Sequence, residues 1–418
     1  MSFIRVLEHP SRCMQRLGYI KYVLSRGAAT STSSLEKLGH GLVETSRRKV
    51  SVPLTPALYT YAKRRLTDRT YASLKQELAR LGPDFAGEQA LRVEIQDAYL
   101  ADPALPSQTG KLVNADWRKY PNLLTASELL REGTYSLMVM GQTLLRLTPE
   151  EEIEAFRDYA PQANPFCLND PQRLLFLYLL LDKDGDVLHP LYRALLEEDG
   201  VFNDRGAGDL LPAIFRDIEK RYRGRTRSGD DIQRLQQLRD TADTIERWAS
   251  RQRYTGKGAR EETITPRLEP FSDLGLLDKE DPFGYYYTFS EAGRVFWSTF
   301  CEIEAEDIET FLNERFFQAA VEAYGYPTVT VEGRELLSRL YAAYNGIKSP
   351  LGYAPIREVN LLAGVRALAE EGLYFELADA LALLKEVQRA QPRDVRFNID
   401  RMGRLTYVKF EASPLEGR

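Results

Sequence analysis

The sequence predicts a mainly α, multi-domain protein in which two or three helical modules carry small β-hairpins. Three observations lead there. The 418 residues exceed one typical domain. Apolar residues recur three or four apart through several segments, the period of a helix with one buried face. Two stretches, 265–300 and 326–412, then break that period with short apolar runs flanking a turn, as a hairpin does.

Five regions follow in order. Residues 1–50 form a basic leader, 51–165 a helical region with one candidate module, and 166–228 a helical connection. Residues 229–325 form a second module and 326–418 a third. In the first helical region Pro56 opens an amphipathic segment that Gly82-Pro83 closes. Thr125 is placed to cap a helix A-S-E-L-L-R-E that stops at Gly133. Residues 170–200 are apolar and helical, with Asp182-Lys183-Asp184-Gly185-Asp186 read as a helix-breaking turn. That turn begins like a calcium loop, but its twelfth position is Arg193, not an acid. Residues 229–252 form a long polar helix with Ile232, Leu235, Leu238, Ile245 and Trp248 near helical period. The last region has helices near 332–345, 355–371 and 374–389. Strands Val395–Ile399 and Leu405–Phe410 follow, joined by a turn over Asp400–Arg404.

Composition narrows the class. Hydrophobic residues make up 43% and charged residues 28%, enough apolar material for several cores. No run approaches the length of a membrane-spanning helix. Cys13, Cys167 and Cys301 fit neither a zinc spacing nor a disulfide framework, so a reducing compartment, the cytoplasm, is expected. The net charge of −5 is unevenly spread. Residues 1–75 carry +10, leaving −15 for the rest, and residues 219–267 form a second island of +5. Such islands are either solvated helix faces or phosphate contacts.

The segment from Thr265 to Phe300 carries the most information. Thr265 can cap, Pro266 sits at a first helical position, and Gly275 ends the helix. Leu268, Phe271 and Leu274 give it one apolar stripe, and Pro270 limits it to a kinked helix or one or two turns. Leu276 and Leu277 begin a strand, Asp281-Pro282-Phe283-Gly284 turns, and Tyr285–Phe289 returns. Ser290 caps a closing helix. With L-G-L-L and then S-E-A-G-R, these 40 or so residues resemble the winged-helix pattern of MarR-like DNA-binding proteins. The pattern recurs upstream, where Tyr135-Ser136 through Gly141-Gln142 aligns with Tyr287-Thr288 through Gly293-Arg294. The third module has three helices and a wing in the same order. It and the 170–200 segment resemble, in overall pattern, winged-helix proteins that accompany helicases or nucleases in prokaryotic DNA-defence loci.

The resemblance implies DNA as the partner, with a helicase, a nuclease or a homologous subunit as protein partner. The residues expected to hold phosphate are Arg223, Arg225, Arg227, Arg251, Arg253, Lys257 and Arg260 in the basic island, Arg267 and Lys279 in the second module, and Arg396, Arg401 and Arg404 in the third. The alternative is a protein–protein scaffold, and further behind it a divergent nuclease. No catalytic residue, cofactor or metal is expected. The sequence has no phosphate-cradling glycine loop, no G-x-S-x-G, no H-E-x-x-H and no acid–x–Lys pair.

Overall fold

A computed structural model describes residues 4–7, six positions between 17 and 25, and most of 127–413. Within the last range 132–136, 150–167, 199, 225–228, 250–262, 280–285, 327–328 and 401–402 lie outside the described residues. The rest of the leader, the helical reading of 54–103 and the hairpin turn at 281–284 therefore fall outside as well. What is described is mainly helical with small sheets.

From residue 127 on, the described elements begin in chain order with α1, Val139–Arg146, then α2, Asp170–Glu197. Strand β1, Phe202–Asn203, leads into α3, Asp204–Tyr222, followed by α4, Gly229–Ala249. A 3-10 turn, Thr265–Arg267, runs into the five-residue α5, Glu269–Asp273. Strands β2, Leu277–Lys279, and β3, Tyr286–Phe289, precede α6, Glu291–Cys301. Helices α7, Ile308–Glu314, and α8, Phe316–Tyr324, lead to β4, Val329–Thr330, and α9, Gly333–Ile347. The chain continues through β5, Ala354–Pro355, α10, Ile356–Glu371, β6, Leu373–Tyr374, and α11, Leu377–Ala390. It closes with β7, Val395–Ile399, and β8, Leu405–Phe410.

Helix α2 is the spine. Asn169 and Gln172 form a reciprocal cap at its start, and the Asn169 amide also donates to Leu147 O at 2.8 Å, fixing it to the end of α1. It is buried on all sides through its middle, which suits a run of apolar residues that no helical stripe could cover. The segment 182–186 does not break it. The backbone stays helical, and the Asp186 N–H also lies 3.1 Å from Arg5 O, to which it donates. Pro190, one turn on, has no N–H for the Asp186 carbonyl. The segment expected to turn is thus the middle of one 28-residue helix. A hydrophilic stretch reads as a turn when its partners are distant in sequence, as Arg5, Glu128, Arg221, Tyr222, Arg267 and Arg357 are here.

Two units share one order of elements: helix, short strand, helix, helix, hairpin. In the middle unit this is α2, β1, α3, then α5 after an inserted α4, then β2 and β3. In the C-terminal unit it is α9, β5, α10, then α11 after the two-residue β6, then β7 and β8. In both, the first strand pairs antiparallel with the last, giving sheets ordered β1-β3-β2 and β5-β8-β7. Neither β1 nor β5 is legible as a strand, because two residues carry no period. The β1–β3 pairing also draws 170–222 into the middle unit, across the boundary expected at 228.

A third, partial copy lies upstream. Leu130 bridges Leu137 as Leu277 pairs with Phe289. A Cβ on Gly141 would sit 2.3 Å from Leu129 O, and one on Gly293 would sit 1.8 Å from Leu276 O. The residue before each Leu-Leu pair has positive φ: Glu128 at 57° and Gly275 at 73°. Residues 127–131 are therefore a turn and a strand start, not the expected helix. Glu128 holds a conformation that favours glycine, and its carboxylate reaches the buried Lys183 at 2.7 Å.

Candidate nucleic-acid interface

In the middle unit the segment between the second helix and the hairpin is inside the protein. Thr265 through Ser272 are all buried, and Leu268, Phe271 and Leu274 are fully so. Tyr192 stacks on Trp297 with ring centroids 3.6 Å apart, Phe271 meets both rings edge-on, and the Tyr192 hydroxyl donates to Arg267 O. The N-terminal residues also reach this unit. Leu17 N donates to Asp273 Oδ2 at 2.8 Å, and Arg5 N and Leu7 N donate to Asp186 and Asp184.

This overturns two expected contacts. Arg267 is 2% exposed and its Nε lies 2.7 Å from Asp184 Oδ2. Lys279 is 7% exposed and donates to Glu269 Oε1 at 2.6 Å, where the Tyr287 hydroxyl also donates. Both cations neutralise buried carboxylates and neither presents its charge to a phosphate. A buried arginine and a surface arginine are indistinguishable in sequence until the facing acid is known.

The three acids at 182–186 of α2 have partners of this kind. Asp182 meets Arg357 of α10 at 2.6 Å; burial pushes its carboxyl up, but Arg357, Lys183 and Arg5 pull it below the ordinary range. Asp186 accepts from the Tyr222 hydroxyl and lies 3.4 Å from Arg221, with burial raising it. Among the described residues no three His, Cys, Asp or Glu side chains are grouped to hold a metal ion.

Of the remaining expected residues, Arg225, Arg227, Arg251, Arg253, Lys257, Arg260 and Arg401 lie outside the described residues. Arg223 is exposed just past α3 and shares Glu219 with Arg239. Arg396 on β7 and Arg404 in the last hairpin are exposed, each beside one acid, Glu411 at 3.6 Å and Asp400 at 2.9 Å.

The structure adds two cations that the sequence reading passed over, Lys385 and Arg389, and lines them up with Arg393, which the sequence places in the lead-in to the basic hairpin. Helix α11 occupies the position in the C-terminal unit that the buried α5 holds in the middle unit, but half of its surface is open. Ala382, Glu386 and Arg389 are exposed, with Lys385 partly so, and Arg393 is exposed in the turn that follows. Lys385, Arg389 and Arg393 are spaced by four and have no acidic partner among the described residues. Four residues of helix rise about 6 Å, so the first two cations stand in line along one face. Glu386 is the one acid in that half of the helix. The spacing was legible; which side of α11 the core would cover was not. The two hairpins also differ in charge. The middle one, 277–289, carries Asp278, Glu280 and Asp281 against Lys279, a net of −2; the last, 395–410, carries Arg396, Arg401, Arg404 and Lys409 against Asp400, a net of +3.

No protein-family model, curated protein or solved structure matches the chain.

Proposed function

We propose that this chain is a non-catalytic, winged-helix DNA-binding protein whose C-terminal unit holds the phosphate backbone and whose middle unit is a scaffold. The shared element order and the shared sheet order support two winged helices, at 170–301 and 333–410. The glycine beneath a leucine carbonyl, repeated at Gly141 and Gly293, supports the remnant of a third.

The observation that carries the functional reading is the stripe Lys385, Arg389, Arg393 on and after the helix in the reading position. Unpaired cations on an open helix, beside a basic hairpin, suit phosphate contact. The mixed acids Asp379 and Glu386 on the same helix suit backbone holding more than base reading, because an acid in the groove lies close to phosphate charge. The middle unit has neither an open helix in that position nor a basic hairpin. Its acidic hairpin favours a protein partner there, such as a helicase, a nuclease or a homologous subunit of a DNA-processing or defence complex.

Titrating the purified chain with duplex DNA over a salt series tests this. Binding is expected at low salt and falls steeply as salt rises. Absence of binding even at low salt overturns the reading.

A further inference from the structure

The outer face of the β5-β8-β7 sheet is a second surface with its own chemistry. Register places Asn398 beside Tyr407 and Arg396 beside Lys409, while Val395, Phe397, Val408 and Phe410 turn to the other face. Pro355 lies opposite Tyr407 on the other side. Tyr353 precedes β5, and the Lys409 ammonium lies 5.6 Å from its ring centroid. Two rows result: Tyr353, Lys409 and Arg396, then Pro355, Tyr407 and Asn398. Strands about 4.8 Å apart spread the three side chains of each row over about 10 Å.

Tyr407 is 43% exposed although it is a large aromatic on a sheet whose opposite face is core. Glu411 lies 3.0 Å from Lys409 and 3.6 Å from Arg396, so one acid serves two cations and the row keeps a net positive charge. Asn398 offers both a donor and an acceptor beside the ring.

We infer that this face binds single-stranded nucleic acid, stacking one base on Tyr407 with the neighbouring phosphate on Arg396 and Lys409. The inference rests on the nucleic-acid reading of the C-terminal unit and adds the form of ligand. A duplex keeps its base faces inside the stack, so a ring on an open sheet gains nothing from it. A single strand presents them, and an aromatic ring with flanking cations is the sequence-tolerant way to hold one.

The test is fluorescence anisotropy of the full chain with a labelled thymidine homopolymer and with a duplex, for the parent protein, Tyr407→Ala and Tyr407→Phe. Tyr407→Ala is expected to weaken strand binding on the order of ten-fold and to leave duplex binding unchanged. Tyr407→Phe is expected to keep strand binding near the parent. Equal strand binding by Tyr407→Ala and the parent overturns the inference, as does a parent that binds duplex but not strand. A parent that binds neither overturns the broader reading as well. Circular dichroism of both variants establishes that an exposed substitution has left the fold intact.

Discussion

Asp184 and Arg267 meet at 2.7 Å with 4% and 2% of their surfaces exposed, 83 residues apart in the chain. The acid sits in the middle of α2 and the arginine in the segment where a reading helix was expected. The pair locks that segment against the spine, and Leu7 N shares the same carboxylate from the N-terminal side at 2.9 Å.

Breaking it leaves a buried charge. Arg267→Ala is expected to lower unfolding free energy by about 3–5 kcal/mol, read from urea denaturation. The folded fraction keeps the parent's affinity for duplex DNA at a given salt. Loss of affinity without loss of stability would return Arg267 to the list of phosphate contacts.

The two close glycine approaches make a paired prediction. Gly293→Ala and Gly141→Ala each force a methyl onto a backbone carbonyl that cannot swing away. Each is expected to cost about 1–3 kcal/mol or more. Gly229→Ala at the start of α4, where nothing lies within 4 Å, serves as the control and stays near the parent. Equal stabilities for all three would show that the repeated packing contributes nothing.

Glu376 gives a pH dependence. It begins α11, and its carboxylate accepts from Gln318 N at 2.7 Å and Phe317 N at 3.2 Å, the first turn of α8. Burial pushes its carboxyl from an ordinary 4.5 up to about 7, against the pull of those N–H donors. The folded state therefore binds this proton more tightly than the unfolded one. Its contribution is full below about 4.5, falls as pH rises, and is lost above about 7. Stability of the parent relative to Glu376→Gln should thus decline across that window by up to about 3 kcal/mol and then level off. A difference flat in pH would mean the carboxyl titrates alike in both states.

The legible parts of this fold were those with a period. The helices and strands of the C-terminal unit lie within a few residues of their expected places, because Leu336, Leu340, Leu361, Leu368 and Leu384 mark buried faces by spacing alone. Ile232 shows the limit of the same argument. It has the spacing of the α4 stripe, yet it is 56% exposed, while Leu235, Leu238 and Ile245 are buried. Asp182, Asp184 and Asp186 were unreadable for a different reason. Their roles depend on Arg357, Arg267 and Tyr222, and no local pattern announces a partner 36 to 175 residues away. For the candidate site, the basic hairpin was visible in the sequence, and the stripe on α11 needed the structure to say which face stays open.

The most direct test of the central claim is the salt dependence of duplex binding by Lys385→Ala/Arg389→Ala/Arg393→Ala beside the parent. Each phosphate contact contributes roughly 0.9 to the slope of log affinity against log salt. Removing three is expected to flatten that slope by about 2–3 and weaken binding at low salt, with the denaturation midpoint unchanged. A variant with the parent's slope and affinity would contradict the account, because the open face of α11 would then carry no phosphate.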